Sequence, residues 1–178
     1  MKKILTLLIL SISLTLSAES KPFQLSLTPD LAIHPESTEI RGIALNVWGE
    51  NQQRAINFGL VNGHKAGSSG FSYAWFVNYN RGYSGVNWAA VNVTEGHFKG
   101  WQAGFINYTS GHTYGLQTGA VNYSESLKGL QIGVINYAEH MEKGLQIGLA
   151  NIIRRNHKWF GEFPDEVAPA MVFVNWKF

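Results

Sequence analysis

The 178-residue chain contains no cysteine. That excludes disulfide staples, thiolate metal sites and a cysteine nucleophile. It also excludes a lipid anchor built on a cysteine beside the leader. Charge is sparse: Asp, Glu, Lys and Arg make up 15% of the residues, and no basic stripe stands out. A nucleic-acid partner is not expected of such a chain. After Leu16 no apolar run approaches the roughly 20 residues of a membrane helix, so any crossing of a bilayer would have to use strands. The sequence also lacks a serine nucleophile elbow, His-Glu-x-x-His, a Walker loop and Gly-x-Gly-x-x-Gly, the local signatures of hydrolases, zinc proteases and nucleotide sites.

What is present begins with Met1-Lys2-Lys3, an apolar run from Ile4 to Leu16, and the small-residue exit Ser17-Ala18. This is the build of a secretory signal peptide over residues 1–18. Its removal leaves 160 residues, and with Lys2 and Lys3 gone the 14 basic residues become 12, against 12 acidic ones. The expected product is a near-neutral exported protein held by packing and backbone pairing alone. A lead-in follows over 19–38, with Phe23–Thr28 alternating as a half-buried strand and Pro29-Asp30 and His34-Pro35 breaking it.

From residue 39 to 152 the chain repeats. Asn46, Asn62, Asn78, Asn92, Asn107, Asn122, Asn136 and Asn151 recur at spacings of 14 to 16. The sharpest copies are Gly100-x-Gln102-x-Gly104-x-x-Asn107, Gly115-x-Gln117-x-Gly119-x-x-Asn122, Gly129-x-Gln131-x-Gly133-x-x-Asn136 and Gly144-x-Gln146-x-Gly148-x-x-Asn151. Aligned on the Asn, the position two before the second glycine is Arg41, Asn57, Tyr73 and Asn87 in the degenerate early copies. Within a copy, Leu130, Ile132 and Val134 alternate with Gly129, Gln131 and Gly133, which is a strand signature. Two glycines per copy disfavour helix. The fold class is therefore all-β.

Two architectures fit. One is a β-solenoid-like stack of about eight 15-residue units with Leu, Ile and Val stacked inside, Asn ladders at inward corners and a cap over 153–178. The other is an 8–10-stranded up-and-down outer-membrane barrel, with Val172, Val174, Trp176 and Phe178 as its closing strand. Successive connections show no alternation of length, and Lys128 and Lys143 hold the same place in successive copies. Both facts favour units that all run one way, hence the solenoid.

Gly-Leu-Gln-Ile-Gly-x-x-Asn at 129–136 and 144–151, the entry segment Phe23–Pro29 with Ile40–Gly49, and the aromatic-rich exit from Asn151 to Phe178 resemble the "surface repeat" of uncharacterised exported bacterial proteins, some of them from spirochaetes. The resemblance covers nearly the whole chain after the leader. It implies an envelope-associated protein with no catalytic residues to carry over. Some members have lipoprotein leaders, and this chain departs from them.

No catalytic residue, metal ligand or cofactor is expected. The repeat Gly, Gln and Asn are read as structural. His97 and His112 each lie five residues after a repeat Asn and would stack on adjacent coils, with Glu95 and His140 nearby; as turn residues they are read as solvated. The same reading holds for Glu139/Glu142, Glu162/Asp165/Glu166 and the basic cluster Arg154, Arg155 and Lys158. Tyr79, Tyr108, Tyr123 and Tyr137 each follow a repeat Asn and would form an aromatic row, either closing the core or offering an interaction surface. The expected function is that of a non-enzymatic envelope protein, structural or interacting, with an envelope protein, a glycan or the membrane surface as partner. A small outer-membrane pore or anchor is the alternative, and a glycan-processing protein the weakest one.

Overall fold

The computed structural model describes residues 20–178; the expected leader, residues 1–18, lies outside the described residues. The fold is a β-solenoid of about seven turns. Its strands in chain order are β1 (Ser20–Ser26), β2 (Glu39–Asn51), β3 (Arg54–His64), β4 (Ser68–Asn80), β5 (Tyr83–Trp88), β6 (Val91–Thr94), β7 (Phe98–Ala103), β8 (Ile106–Ile153) and β9 (Ala170–Lys177). Adjacent coils pair in parallel. Gly85 lies beside Gly100 and Gly100 beside Gly115, while Asn78 lies beside Asn92 and Asn92 beside Asn107. Parallel pairing of successive copies replaces the up-and-down barrel, in which neighbours would run antiparallel.

Each coil is flattened and has two pairing sides. The first face carries the Gly-x-Gln segment, as in β5, β7 and the 113–118 stretch of β8. A distal corner follows at Gly104-Phe105, and the second face carries the Asn segment, as in β6 and the 106–109 stretch of β8. The connection from the second face to the next first face forms the proximal edge. The long β8 is uninterrupted, so Glu139 and Glu142, read from the sequence as turn residues, remain within the strand as the chain rounds the edge.

The interior is the reverse of the expected one. Gln102, Gln117, Gln131 and Gln146 are fully buried, as are seven of the eight repeat asparagines, with Asn46 at the end of the stack nearly so. Leu45, Ile56, Phe58, Ile132, Val134, Ile135, Ile147 and Leu149 point outward and are exposed. The alternation is right and its polarity inverted. The amides tolerate burial because stacking satisfies them. Each Asn Nδ2 donates along the axis to the Asn Oδ1 of the following coil, with Asn107 to Asn122 at 2.9 Å, Asn122 to Asn136 at 2.9 Å and Asn136 to Asn151 at 2.8 Å. The Gln column runs the opposite way, from Gln117 to Gln102 at 2.7 Å, Gln131 to Gln117 at 2.7 Å and Gln146 to Gln131 at 2.8 Å. The second N–H of these amides is also used. Asn122 donates to the Ile132 carbonyl and Asn136 to that of Ile147, and Gln131 donates to that of Tyr137. Turning any of these amides over would set an oxygen against a carbonyl, so the directions are fixed. A buried polar group costs little when its bonds are complete.

The glycines follow from this interior. At Gly119 a Cβ would sit 2.8 Å from the Asn107 amide nitrogen, and at Gly133 it would sit 2.6 Å from that of Asn122, so this column leaves room for the ladder. At Gly115 the backbone has φ +138°, and a Cβ there would strike the Gly100 carbonyl oxygen of the coil before. The large apolar side chains packed inside include a proximal group, where Leu127, Ala138, Met141 and Ile153 cluster and Tyr83 stacks over Phe98.

Both ends are finished by antiparallel returns. After β1 the chain doubles back, with Leu27 N donating to Leu31 O at 2.9 Å and Ile33 N to Leu25 O at 3.0 Å. At the other end β9 pairs antiparallel with 144–152 of β8. The 154–167 segment bonds to the end of the stack through Arg154 N to Ala138 O at 2.9 Å and Arg155 N to Glu139 O at 3.0 Å, and to the C-terminal residues through Val167 N to Trp176 O at 3.3 Å and Phe178 N to Asp165 O at 2.8 Å.

Candidate functional surface

The outer wall is the feature that sets this solenoid apart. On the first face one column reads Ile56, Phe71, Val86, Trp101, Leu116 and the next Phe58, Tyr73, Trp88, Ala103, Thr118. On the second face Val61, Val77, Val91 and Ile106 stand in line. The distal corner carries Trp75, Phe105 and Leu149, each more than 60% exposed. Between residues 39 and 155 every Asp, Glu, Lys and Arg falls on the proximal edge, in the arc that leads from one Asn segment to the next glycine. The stretches 42–49, 55–64, 70–80, 85–94, 100–124, 129–138 and 144–153 contain none. The molecule is thus a prism with one charged edge and three apolar sides.

The wall satisfies several of its own polar atoms. Trp101 Nε1 donates to Thr118 Oγ1 at 2.8 Å, Trp48 Nε1 to the Tyr79 hydroxyl at 3.0 Å, and Trp176 Nε1 to the Pro164 carbonyl at 2.8 Å. Tyr79 in turn donates to Glu50 at 2.8 Å, and burial pushes its hydroxyl up to about 12.

The expected tyrosine row forms in part. Tyr108 and Tyr123 stack with centroids 4.8 Å apart, and Tyr123 and Tyr137 at 5.4 Å, both nearly coplanar. Tyr79 is not part of it, because Val93 stands between Tyr79 and Tyr108 in the column. The row borders the charged edge, where Tyr137 donates to Glu139 at 3.0 Å and Arg154 pairs with Glu139 at 2.7 Å. That pair, with the Arg154 bond first, holds the Glu139 carboxyl below its ordinary range.

His97 and His112 lie on adjacent coils with their rings 4.9 Å apart, and His112 Nε2 is 3.9 Å from Glu142. Among the described residues no group of three or more His, Cys, Asp or Glu converges to hold a metal ion. The repeat residues stand where the ladder and the close coil approach require them: Gly100, Gln102, Gly104, Asn107, Gly115, Gln117, Gly119, Asn122, Gly129, Gln131, Gly133, Asn136, Gly144, Gln146, Gly148 and Asn151.

The early copies depart from the Asn-anchored alignment. Ser72, not Tyr73, takes the inward place beside Asn57 and Asn87, and Ala74 lies beside Gly59. The extra residue of that copy is spent at the corner, on exposed Trp75 and Phe76. Here the amide column is incomplete. Asn87 makes no side-chain hydrogen bond and Asn57 Oδ1 has no partner. Asn is one methylene shorter than Gln, and Gln102 Nε2 turns to Thr94 instead at 3.0 Å. His64 sits in this gap, with Nε2 2.9 Å from Ser72 Oγ, and desolvation lowers it to about 3. The serine–histidine pair has the atoms of a nucleophile and base, yet both side chains are sealed in the interior, out of a substrate's reach. Sequence reasoning missed His64; its signal is a histidine two residues after a ladder Asn, a place held by Thr94, Thr109 and Ser124 in three later copies.

The chain matches no family model, no curated protein and no solved structure.

Proposed function

We propose that this chain is an exported, non-enzymatic envelope protein that acts by association through its outer wall. One observation carries the reading: a continuous uncharged apolar exterior over two faces and a corner, repeated in every coil. Scattered exposed apolar residues are ordinary, but an extended apolar surface rimmed by polar residues marks an interaction site. The signal-peptide pattern and the surface-repeat resemblance point to the same compartment. Sugar binding by the tyrosine row is less well supported, because Tyr108, Tyr123 and Tyr137 cover one another's ring faces, and a sugar needs a free one.

The test is expression of the full chain in a double-membraned bacterium, followed by fractionation. The protein should sediment with the envelope, stay there in high salt and be released by mild detergent. Recovery as a soluble periplasmic monomer would overturn the reading.

A further inference from the structure

We infer that the apolar wall is filled by the acyl chains of one lipid leaflet, which the solenoid enters edge-on, its axis in the membrane plane and its charged edge at the headgroups. This rests on the association reading above and names the partner. Coverage comes first. A globular partner docks on one face, whereas here both faces and the distal corner are apolar in coil after coil, and only a surrounding medium covers three sides at once.

Depth agrees. From Gly100, where the charged edge ends, to Phe105 at the corner, the extended chain spans roughly 17 Å at about 3.3 Å per residue. One leaflet supplies about half of a roughly 30 Å hydrocarbon core. The prism is as deep as a leaflet and too shallow for a bilayer.

The border has the chemistry of a membrane interface. Tyr108, Tyr123 and Tyr137 line it on the second face, where amphipathic rings belong. On the first face Lys99, Lys128 and Lys143 immediately precede the glycine column, exposed and with no ion-pair partner among the described residues. Their stems can lie along the wall while the ammonium groups reach lipid phosphates.

Hydrocarbon demands that polar groups be satisfied internally, and the immersed part largely does so, with the Asn57 and Asn87 amides among the exceptions. The backbone pairs coil to coil, the amides pair along the axis, and the indoles of Trp48 and Trp101 bond within the wall. The end strands are doubled back on, and the returns themselves carry exposed Leu31, Ile33, Phe160 and Phe163.

The absence of cysteine permits a direct test. Full chains carrying Leu149→Cys or Val134→Cys at the distal corner, or Lys128→Cys at the charged edge, are labelled with an environment-sensitive fluorophore. Unchanged strand signal in circular dichroism selects variants that fold, and the two corner positions back each other up. Each is mixed with vesicles of phosphatidylethanolamine and phosphatidylglycerol. The corner labels should shift to the blue, brighten several-fold and be quenched by bromines deep in the acyl chains. The Lys128→Cys label should stay open to aqueous iodide. Corner labels that remain open to iodide, or an edge label that enters the acyl region equally, would overturn the leaflet assignment. If the corner labels stay in water while the protein still needs detergent to leave the envelope, the leaflet assignment falls and the association reading survives with a protein partner.

Discussion

Replacing Asn136 by alanine tests the amide ladder at its middle. The Asn136 side chain is fully buried. It accepts from Asn122 at 2.9 Å and donates to the Ile147 carbonyl at 2.9 Å and to Asn151 Oδ1 at 2.8 Å. Asn136→Ala orphans two acceptors. Asn122 Nδ2 loses one bond but keeps the Ile132 carbonyl at 3.0 Å. A buried group left unsatisfied costs about 1–3 kcal/mol, and a water entering the vacated amide volume recovers part of that. The expected loss is about 2–4 kcal/mol by the same measure. Asn46→Ala supplies the contrast. Asn46 heads the ladder, donates to Asn62 at 3.0 Å, and its own oxygen has no partner, so about 1 kcal/mol is expected there. Equilibrium denaturation in mild detergent, followed by far-ultraviolet circular dichroism, measures both. A solenoid can unfold in stages, so midpoints are compared only between curves of equal slope. A loss at Asn136 no larger than that at Asn46 would refute cooperative satisfaction along the column.

Three further outcomes follow from the interior. Asn87→Gln should stabilise the fold by about 1 kcal/mol, since the longer side chain reaches the free N–H of Gln102 and closes the gap; an unchanged or lowered melting temperature would count against it. Gly115→Ala should cost several kcal/mol, because φ +138° and the Gly100 carbonyl both exclude a side chain, and loss of the sharp strand signal on mild heating would report it. His64 binds its proton at about pH 6.5 when unfolded but only near 3 when folded. Its contribution is therefore complete above pH 6.5 and lost as pH falls from there toward 3, at about 1.4 kcal/mol per pH unit. Between pH 6.5 and 5 the wild type should lose about 2 kcal/mol more than His64→Gln; parallel pH profiles would exclude His64 as the source.

The repeat made the coil legible, and the absence of alternating connections favoured parallel over antiparallel copies. What misled was the equation of apolar with inside. Burial of Leu, Ile and Val normally drives folding, and that rule places Leu130, Ile132 and Val134 in the core. The decisive signal lay in the other half of the alternation. Gly129, Gln131 and Gly133 share one side, and a side without Cβ atoms is where backbones and amides approach closely. A second signal was the charge pattern: no copy ever places Lys or Glu among its apolar residues, as a water-facing strand would tolerate. The anchoring on Asn misassigned Tyr73 because the extra residue of that copy lies between Ser72 and Asn78, invisible until the coils are paired. Tyr79 was misread for a related reason, since a row needs its member in every coil and Val93 interrupts it.

The opposed amide columns carry a consequence for how such a chain can change. From Gln102 to Gln146 each coil is joined to the next by the same bonds, so excising or duplicating one there leaves every junction chemically as it was. Each unit adds about 4.8 Å along the axis, the spacing of neighbouring strands, while the cross-section stays constant. Length is then a free variable, adjustable in whole coils by tandem duplication. Because the Asn dipoles point one way and the Gln dipoles the other, lengthening the stack builds up no net field that would set a limit.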